Sequence, residues 1–411
     1  MSYEAIDACR ICGNTNLVQV LNLGHQALTG VFPKSKQQEI TSGPLQLVKC
    51  VGDSCCGLLQ LAHSYSLSEM YGDNYGYRSG LNSSMVSHLH AKVARIKELI
   101  DLRTNDIVLD IGSNDGTTLS AYGEGTCVRV GIDPTAAKFQ QFYPAGVKVI
   151  SDFFSAAKFR EHLGQRQARV VTSFSMFYDL EQPQKFVDEI SQILSVDGIW
   201  IFEQSYMPTM LKTNSYDTGC HEHLEYYAIK QIAWMLSRAQ MKVVDIQFND
   251  VNGGSFSVAA APIQSAMPEF VQLGELLAKE AYLDDLKTYQ DFALRVQATR
   301  AQLLEFIAQA KSEGKRVAAL GASTKGNVLL QYCGLTSQHL ESVGEVNPDK
   351  FGVFTPGSLI PIVDEKQLLA DEPDYLLVLP WHFKEFFLKK YRLKTAKLVF
   401  PLPDLHVVAS H

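Results

Sequence analysis

Residues 217–227 contain several side chains that can accept or donate a proton. Two histidines flank a carboxylic acid in the run His221-Glu222-His223, and Glu225 follows two positions later. An imidazole is neutral near pH 7, and an adjacent carboxylate can fix its tautomer and stabilise its protonated form. The zinc-peptidase motif H-E-x-x-H is excluded because Glu225 stands where its second histidine would be. A single histidine is more often structural, but this grouping predicts that one of the two acts as a general base.

A turn after an apolar run forms a second cluster of functional residues. Asp110 ends the run and is followed by Gly112-Ser113-Asn114-Asp115-Gly116, and Asp133-Pro134 ends the next apolar run. This order predicts a strand, a tight turn and a helix near Thr117, with glycines that let a ligand approach and with Asp133 binding both ribose hydroxyls. The turn lacks the G-x-G-x-x-G pattern, and its acid would repel a pyrophosphate. Cationic S-adenosylmethionine fits better, the alternative being that the glycines only close a tight turn.

Five of the eight cysteines lie in the first 56 residues. Cys9 and Cys12 form a C-x2-C knuckle, and a second cluster contains Cys50, Cys55 and Cys56. Four thiolates from the two clusters could form a tetrahedral zinc site. Because such a site has no open position for water, the zinc would stabilise the fold and take no part in the chemistry. We favour Cys9, Cys12, Cys50 and Cys56 as ligands because Cys56 and Cys12 are each followed by glycine. The alternative to a metal site is that these cysteines are small buried side chains.

A third cluster follows the apolar residues 317–320. The sequence Gly321-Ala322-Ser323-Thr324-Lys325 leads into a segment of helical composition, and it contains a lysine and no acid. Backbone amides at a helix start together with one lysine can bind an anion such as a pyrophosphate. A Walker A loop is excluded by the order of the residues, and a compact strand-to-helix connection is the alternative.

Alternating strands and helix-length segments predict an α/β protein with parallel sheets. Strands are expected at residues 107–111, 147–150, 170–174, 198–202, 342–346 and 375–379, an antiparallel pair at 242–248 and 255–260, and a helix at 85–99. Residues 268–313 are polar and contain no proline after Pro268, which predicts a helical linker.

Length and composition limit the class of protein. A chain of 411 residues is too long to fold around one hydrophobic core, so two or three domains are expected. The net charge of −7 argues against a nucleic-acid partner, which would require a basic surface. No apolar run reaches the roughly 18 residues that would span a bilayer, and no signal peptide is evident. We expect a cytoplasmic monomer without a membrane partner.

Taken together, these motifs resemble the zinc-containing, S-adenosylmethionine-dependent nucleotide-sugar C-methyltransferases, the sugar 3-C-methyltransferases of deoxysugar biosynthesis. The resemblance covers nearly the whole chain and adds further motifs: Tyr75-Gly-Tyr77-Arg-Ser-Gly80, Met176-Phe-Tyr-Asp-Leu180, Glu203-Gln-Ser-Tyr-Met-Pro208, Asn252-Gly-Gly-Ser255, Thr355-Pro-Gly357 and Pro380-Trp-His-Phe383. It implies a zinc-binding module (residues 1–70), a class I methyltransferase Rossmann-like domain that binds S-adenosylmethionine (71–265), a helical linker (266–313) and a second Rossmann-like α/β domain that binds the nucleotide sugar (314–411).

The resemblance also implies roles for individual residues. His223 would be the base that removes the C3 proton of an NDP-4-keto-6-deoxyhexose, forming an enolate that attacks the methyl group. The other implied catalytic residues are Glu222, His221, Tyr75 and Tyr77. The implied cofactor-binding residues are Asp110, Gly112, Ser113, Asn114, Asp115, Gly116, Asp133, Pro134, Asp152, Phe153, Phe154, Ser173 and Met176. The implied substrate-binding residues are Tyr178, Asn252, Ser323, Thr324, Lys325, Asn327, Glu345, Thr355, Pro356 and His382.

One residue departs from the family pattern. Cys220 stands where the family has a tyrosine just before His-Glu-His, so sugar contacts or stereochemistry would differ there. Two other functions remain open at the level of sequence. An O-methyltransferase would need a base beside a hydroxyl and no keto group, and a non-catalytic nucleotide-sugar- or zinc-binding protein would not need a complete cofactor site.

Overall fold

The N-terminal module is built on short antiparallel strands that surround the cysteine clusters. In the computed structural model, which describes residues 3–66, 70, 77–391 and 395–409, these strands are β1 (Tyr3–Ala5), β2 (Leu17–Ala27), β3 (Ser42–Cys50), β4 (Leu59–Leu61) and β5 (His63–Tyr65). β1 pairs with β5, and β2, β3 and β4 form a sheet with β11 (Glu225–Tyr226), in the order β11-β4-β3-β2. The module therefore shares a sheet with a strand that follows the His-Glu-His run.

The central domain is a seven-stranded sheet in the order β12-β13-β10-β9-β6-β7-β8. Its parallel part is buried on both faces, since every residue of β6 is buried, as an apolar run between helices requires. β13 runs antiparallel to β10 and to β12, which confirms the predicted strand pair. The strands are β6 (Ile107–Ile111), β7 (Val128–Ile132), β8 (Lys148–Ile150), β9 (Ala168–Phe174), β10 (Leu194–Ser205), β12 (Met241–Asn249) and β13 (Ser255–Pro262).

Helices cover both faces of this sheet. α1 begins where the Asn82 side chain accepts a hydrogen bond from the Ser84 amide, and it packs one face against the sheet. α5 buries Phe186, Val187 and Ile190 against the other face, at helical spacing. The helices are α1 (Ser83–Leu99), α2 (Thr117–Ser120), α3 (Ala136–Phe139), α4 (Ala156–Leu163), α5 (Pro183–Ile193), α6 (Met207–Lys212) and α7 (Ile229–Arg238).

The segment predicted as a helical linker contains two α-helices. α8 (Leu273–Lys279) and α9 (Leu286–Ser312) are separated by residues 280–285, and the side chain of Asp285 caps α9 by accepting a hydrogen bond from the Lys287 amide. α9 buries apolar residues such as Phe292 and Leu303 in the same hydrophobic core as β2 and the C-terminal sheet. The polar composition of this segment reflects its solvent face, while its buried stripe joins two parts of the molecule.

The C-terminal domain is a six-stranded sheet in the order β16-β15-β14-β17-β18-β19, parallel except for β19. Its strands are β14 (Val317–Leu320), β15 (Val343–Glu345), β16 (Ile362–Asp364), β17 (Tyr375–Val378), β18 (Lys397–Phe400) and β19 (His406–Ala409). Its helices are α10 (Thr324–Cys333), α11 (Glu365–Ala370) and α12 (Lys384–Lys390). The predicted fold class is confirmed: a small N-terminal module and two Rossmann-like α/β domains. The predicted domain boundaries stay predictions.

Among the described residues, no helix is long and apolar enough to cross a membrane.

Candidate active site

The turn between β6 and α2 is folded as its sequence predicts. Gly112 and Gly116 have positive φ angles of 71° and 76°, a conformation that favours glycine. A Cβ atom on Gly112 would lie 3.0 Å from Cγ of Met176, so a larger residue would crowd the pocket wall. The turn therefore brings backbone close to a cavity of about 400 Å³, a volume typical of small-molecule sites.

Asp133 ties the end of β7 to this turn. Its Oδ2 accepts a hydrogen bond from the Asn114 amide at 2.9 Å, and its Oδ1 accepts bonds from the amide and hydroxyl of Thr135, both at 2.6 Å. An ionised carboxylate has about four acceptor sites, so this arrangement leaves room for roughly one ribose hydroxyl. Asp133 lines the cavity at its strand end, where a nucleoside is held in α/β sheets.

The predicted cofactor residues divide into two groups. Those that line the cavity are Gly112, Asn114, Asp133, Pro134, Phe153, Phe154 and Met176. The others make contacts that support the turn and its neighbours. Within the turn, Asp110 accepts a hydrogen bond from the Thr172 hydroxyl at 2.5 Å, Ser113 is bonded to the Tyr143 hydroxyl at 2.7 Å, Asp115 accepts from the Gly80 amide at 2.9 Å, and Gly116 packs close to Tyr143. Outside the turn, Asp152 forms an ion pair with Lys158 at 3.0 Å, and Ser173 accepts a hydrogen bond from the Trp200 indole at 3.0 Å.

Burial sets the protonation of the innermost of these acids. Asp110 is completely buried, and the loss of solvation raises its pKa to about 7. A proton shared with Thr172 would fix the base of the turn. Asp115, by contrast, is held by the amide of Gly80 and by the hydroxyl of Thr117 at 2.6 Å. The acid of the turn thus anchors the segment before α1 and does not line the cavity.

Sequence analysis missed one wall of the cavity. Met85 and Leu89 of α1 line it, and their i, i+4 spacing on an amphipathic helix is the signal that could have identified them. Tyr77 and Ser79, which precede that helix, also line it. The described residues that line the cavity include four acids, Asp133, Asp179, Glu181 and Glu189, and one lysine, Lys185. This negative balance suits a cationic ligand such as a sulfonium.

His223 does not line this cavity; it lines a separate small cavity with Tyr178, and one of its ring nitrogens is already engaged. Its Nδ1 is 3.0 Å from the carbonyl oxygen of Thr218, which can only accept, so Nδ1 carries the proton and Nε2 has a free lone pair. Burial, together with the positive charge of Lys325, lowers the pKa of His223 to about 4. The ring contacts Tyr178 at a centroid distance of 4.3 Å, and Asp179, the next residue along the chain, lines the cofactor cavity. His223 is therefore neutral at pH 7 and has the form required of a base.

The other two residues of the run face the N-terminal module. His221 is completely buried, and its ring packs edge-on against Tyr65 at 4.6 Å. Glu222 Oε2 is 3.5 Å from the Thr29 hydroxyl, and a Cβ on Gly30 would lie 3.0 Å from its Oε1. Burial raises the pKa of Glu222 and lowers the pKa of His221 to about 4. The structure thus separates His221 from His223, although they are two positions apart.

The C-terminal domain contributes a cation to the same region. Lys325 Nζ donates to the carbonyl of Asn252 at 2.6 Å, and burial lowers the Lys325 pKa while the charge of Asp217 opposes that effect. His382 packs beside Gly253, and burial together with the charge of Lys325 lowers its pKa to about 3. Asp217 is held by the Trp381 indole at 2.8 Å. Lys325, His382 and His223 therefore converge from three separate segments.

The remaining predicted substrate residues have varied environments. Ser323 caps α10 by accepting a hydrogen bond from the Gly326 amide, and Thr324 is the first residue of that helix. Asn327 donates a hydrogen bond to the Thr29 carbonyl at 2.8 Å, and Glu345 Oε2 accepts one from the Ala322 amide at 3.0 Å. Thr355 accepts a hydrogen bond from the Ile360 amide within its own loop, and the adjacent Pro356 is buried. Ser323, Lys325 and Glu345 thus surround the turn after β14. Tyr75 lies outside the described residues.

The structure brings the four predicted cysteines together. The Sγ atoms of Cys9, Cys12, Cys50 and Cys56 all lie within 4.8 Å of one another, with 3.5 Å between Cys9 and Cys56 and 3.6 Å between Cys12 and Cys50. Tetrahedral zinc with bonds near 2.3 Å would set these separations at roughly 3.8 Å. Cys55 Sγ points to the Cys50 carbonyl instead, at 3.7 Å. The donor set therefore fits zinc, with Cys56 in place of Cys55.

Three family models match this chain. A model described as "Putative zinc binding domain" matches residues 9–71, one described as "Methyltransferase domain" matches residues 85–246, and one described as "C-methyltransferase C-terminal domain" matches residues 250–403. The three matches follow one another along the chain in the order of the N-terminal module, the seven-stranded sheet and the C-terminal sheet.

One relative matches over nearly its full length. The C-methyltransferase NovU of Streptomyces niveus is 30% identical over 414 residues, which cover 98% of this chain and 97% of NovU. Among solved structures, a chain of the complex between the Haloferax volcanii Trm112 methyltransferase activator and a methyltransferase has a TM-score of 0.36 and 14% identity, covering 44% of this chain and 94% of that chain. The CcbJ methyltransferase of Streptomyces caelestis has a TM-score of 0.34 and 12% identity, covering 42% and 89%. By its match to NovU and to the C-methyltransferase model, this chain belongs to the family of S-adenosylmethionine-dependent C-methyltransferases.

Proposed function

We propose that this C-methyltransferase acts at C3 of a nucleotide-linked 4-keto-6-deoxy sugar. The observation that carries the proposal is the state of His223: a neutral imidazole whose Nδ1 is bonded to the Thr218 carbonyl and which lies near the cation Lys325. Carbon becomes nucleophilic only when a base removes its proton and an adjacent group holds the resulting charge. A ketone next to the reacting carbon meets that requirement, because it makes the C3 proton acidic.

In the proposed reaction, Nε2 of His223 takes the C3 proton and the electron pair of the C–H bond moves into an enolate whose charge lies on the C4 oxygen. Lys325 is the cation closest to this region on the C-terminal side, and Tyr77 is a hydroxyl donor on the cofactor side. Either can stabilise the developing oxyanion. S-Adenosylmethionine, when bound, would supply an electrophilic methyl group to the nucleophilic C3, with the neutral thioether as the leaving group. His223 then returns its proton to solvent.

The proposed site for the nucleotide is the turn between β14 and α10. This turn presents backbone amides and Lys325, and α10 is a ten-residue helix whose N-terminus favours a phosphate. Glu345 ends the adjacent strand β15, the position at which an acid commonly meets a ribose in such sheets. In the present contacts Glu345 accepts hydrogen bonds from the amides of Ala322, Val346 and Asn347, so it also shapes the turn.

We propose further that the four-cysteine cluster holds a zinc ion with a structural role. Four thiolates complete a tetrahedral shell and leave no position for water or substrate. Hydrogen bonds from the Cys50 and Cys56 thiols lower the pKa of Cys9, which favours a thiolate at that position.

The test is incubation of the protein with S-adenosylmethionine and a panel of dTDP-, GDP- and CDP-4-keto-6-deoxyhexoses, read by mass spectrometry and NMR. A single added methyl at C3 would support the proposal. In parallel, the keto sugars are incubated in D2O without S-adenosylmethionine, where the proposal expects deuterium at C3. A methyl group on a sugar oxygen, without deuterium at C3, would replace it by O-methylation.

A further inference from the structure

The cysteine cluster is connected to the catalytic loop through Arg10, which lies between Cys9 and Cys12. The Arg10 guanidinium donates to the carbonyls of Leu61 at 2.6 Å and His63 at 3.1 Å. It also donates to the Ser64 hydroxyl at 3.0 Å. Its Nε lies 3.7 Å from Oε1 of Glu225, and the two side chains are only 3% and 0% exposed. A residue of the first cysteine knuckle thus reaches the residue two positions after His223.

The second half of the cluster contacts the same segment. The carbonyl oxygens of Cys56 and Gly57 accept hydrogen bonds from Nε2 of Gln231, at 2.9 and 3.1 Å. The Oε1 of Gln231 in turn accepts from the Ala228 amide at 3.0 Å, at the start of α7. One glutamine side chain therefore joins a cluster cysteine to the helix that follows the catalytic loop.

Between these two contacts, the loop is part of the sheet of the N-terminal module. Glu225 and Tyr226 pair with Gln60 and Leu59 of β4, and the Leu61 amide donates to the carbonyl of Leu224 at 2.8 Å. Residues 224, 225, 226 and 231 thus contact residues 10–61, while the amides of residues 229 and 230 are held by Glu280. Among the described residues, those that line the cofactor cavity begin at Tyr77, so the N-terminal module makes no wall of that cavity.

Two ionisable groups, Arg10 and Glu225, are buried where this contact is made. Taking Glu225 out of water raises its pKa, and the positive charge of Arg10 opposes that rise. A buried carboxyl without its cation is strongly destabilising locally, and the loop that carries it would shift. A displacement of about 1 Å at a reacting group can cost roughly 100-fold in rate.

We infer that Arg10 and Glu225 are positioning residues through which the cysteine cluster sets the place of His223. The inference rests on the proposed role of His223 as the base. Loading the cluster with metal should then affect the methyl-transfer step and leave cofactor binding unchanged, because the cluster contacts the segment that follows the base and does not line the cofactor cavity. The cluster holds the fold and, through Arg10, also aligns the proton-abstracting group.

Arg10→Met tests this directly. It keeps the aliphatic stem and removes both the charge and the fork of donors, so kcat should fall by about 10- to 100-fold, as expected for a displaced base. The dissociation constant of S-adenosylmethionine, measured by calorimetry, should change by less than about twofold. Arg10→Lys keeps the charge but not the fork and should recover part of kcat. Arg95→Met is the matched control, because it removes an ion pair with Asp245 that has no contact with the loop.

A double-mutant cycle separates a shared contact from general damage. Glu225→Gln keeps the shape of the side chain and should lower kcat by itself. The double variant Arg10→Met/Glu225→Gln should lose no more than the worse single variant, because both act through one contact. Fully additive losses would overturn the inference. Glu225→Gln also keeps the test decisive if Arg10→Met does not fold.

A second readout needs no sugar substrate. Hydrogen exchange of residues 218–231, followed by mass spectrometry, should accelerate in Arg10→Met and in metal-depleted wild-type protein, while exchange around the cofactor turn stays constant. If exchange in residues 218–231 is unchanged by both treatments, or if the affinity for S-adenosylmethionine falls as much as kcat, the inference is wrong. Because exchange is independent of turnover, such a result is distinguishable from failure of the proposed reaction.

Discussion

Activity should persist at a pH where an ordinary histidine base would already be protonated. The pKa of His223 is about 4, so about 97% of the imidazole is neutral at pH 5.5, whereas a pKa of 6.5 would leave about 9% neutral. The cause is burial of the ring, strengthened by the positive charge of Lys325. On the acidic side, kcat/KM should therefore be nearly flat between pH 7.5 and 5.5. It should fall only as the pH approaches about 4.

The same shift predicts a measurable effect on stability, with a definite sign. Between about pH 6.5 and pH 4 this histidine is mostly protonated in the unfolded chain but mostly neutral in the folded protein. Folding free energy is therefore lost as the pH falls through that window. For a single group the loss between pH 7.5 and 5.5 is about 1.3 kcal/mol. Buried acids with raised pKa values, such as Asp110 and Glu222, act in the opposite direction, so the total is not diagnostic.

A comparison with His223→Asn isolates this group. Urea denaturation at pH 7.5 and 5.5 should show a pH-dependent loss that is smaller in the variant by about 1.3 kcal/mol. The pH profile of kcat/KM reports the free enzyme, and S-adenosylmethionine binding is measured at both pH values as a control. An acidic limb with an apparent pKa near 6.5, at unchanged cofactor affinity, would refute the reasoning. It would mean that the base is either solvated or a different residue.

Three further predictions concern single side chains. His223→Asn should lower kcat by about 10²- to 10⁴-fold, the usual contribution of a general base, with S-adenosylmethionine affinity retained in a calorimetric titration; near-wild-type turnover would remove His223 from the mechanism. Lys325→Ala should raise KM for the nucleotide sugar more than KM for S-adenosylmethionine in steady-state kinetics, because the cation lies on the C-terminal side, and the reverse ranking would move the nucleotide elsewhere. Cys9→Ser should lower the zinc content in elemental analysis and reduce solubility because the four-thiolate shell is broken, whereas the matched control Cys55→Ser should keep the metal; equal zinc in both variants would contradict the assignment of the ligands.

Much of the fold could be predicted from the sequence because its signals are local. A buried parallel strand is a short apolar run, and the tight turn after β6 needs glycine at Gly112 and Gly116, where φ is positive. The four-cysteine cluster can also be predicted from the sequence, because several cysteines in a segment too short to build its own hydrophobic core indicate a metal site. The end of α8 and the start of α9 could not be placed from the sequence, because the cap Asp285 lies in a polar helical stretch in which many residues could fill that role.

The composition of the candidate site was decided by tertiary structure. His221 and His223 are equivalent as residue types, yet one packs on Tyr65 and the other on Tyr178, because the chain passes between two domains at this point. Asp115 is predicted in the cofactor site, and in the structure its carboxylate accepts a hydrogen bond from the Gly80 amide, a contact that the sequence pattern does not indicate. Such outcomes depend on which elements lie on either side of a segment, and a sequence pattern carries no information about that.

The sequence by itself determined the strands, the glycine turns and the cysteine donors, because each depends on the conformational and chemical properties of residues close together in the chain. Only the tertiary structure paired β11 with β4 and brought Lys325 near His223. The physical reason is that these contacts join residues far apart in sequence. Their geometry is set by the packing of whole domains, in which burial then fixes the protonation state on which the proposed chemistry depends.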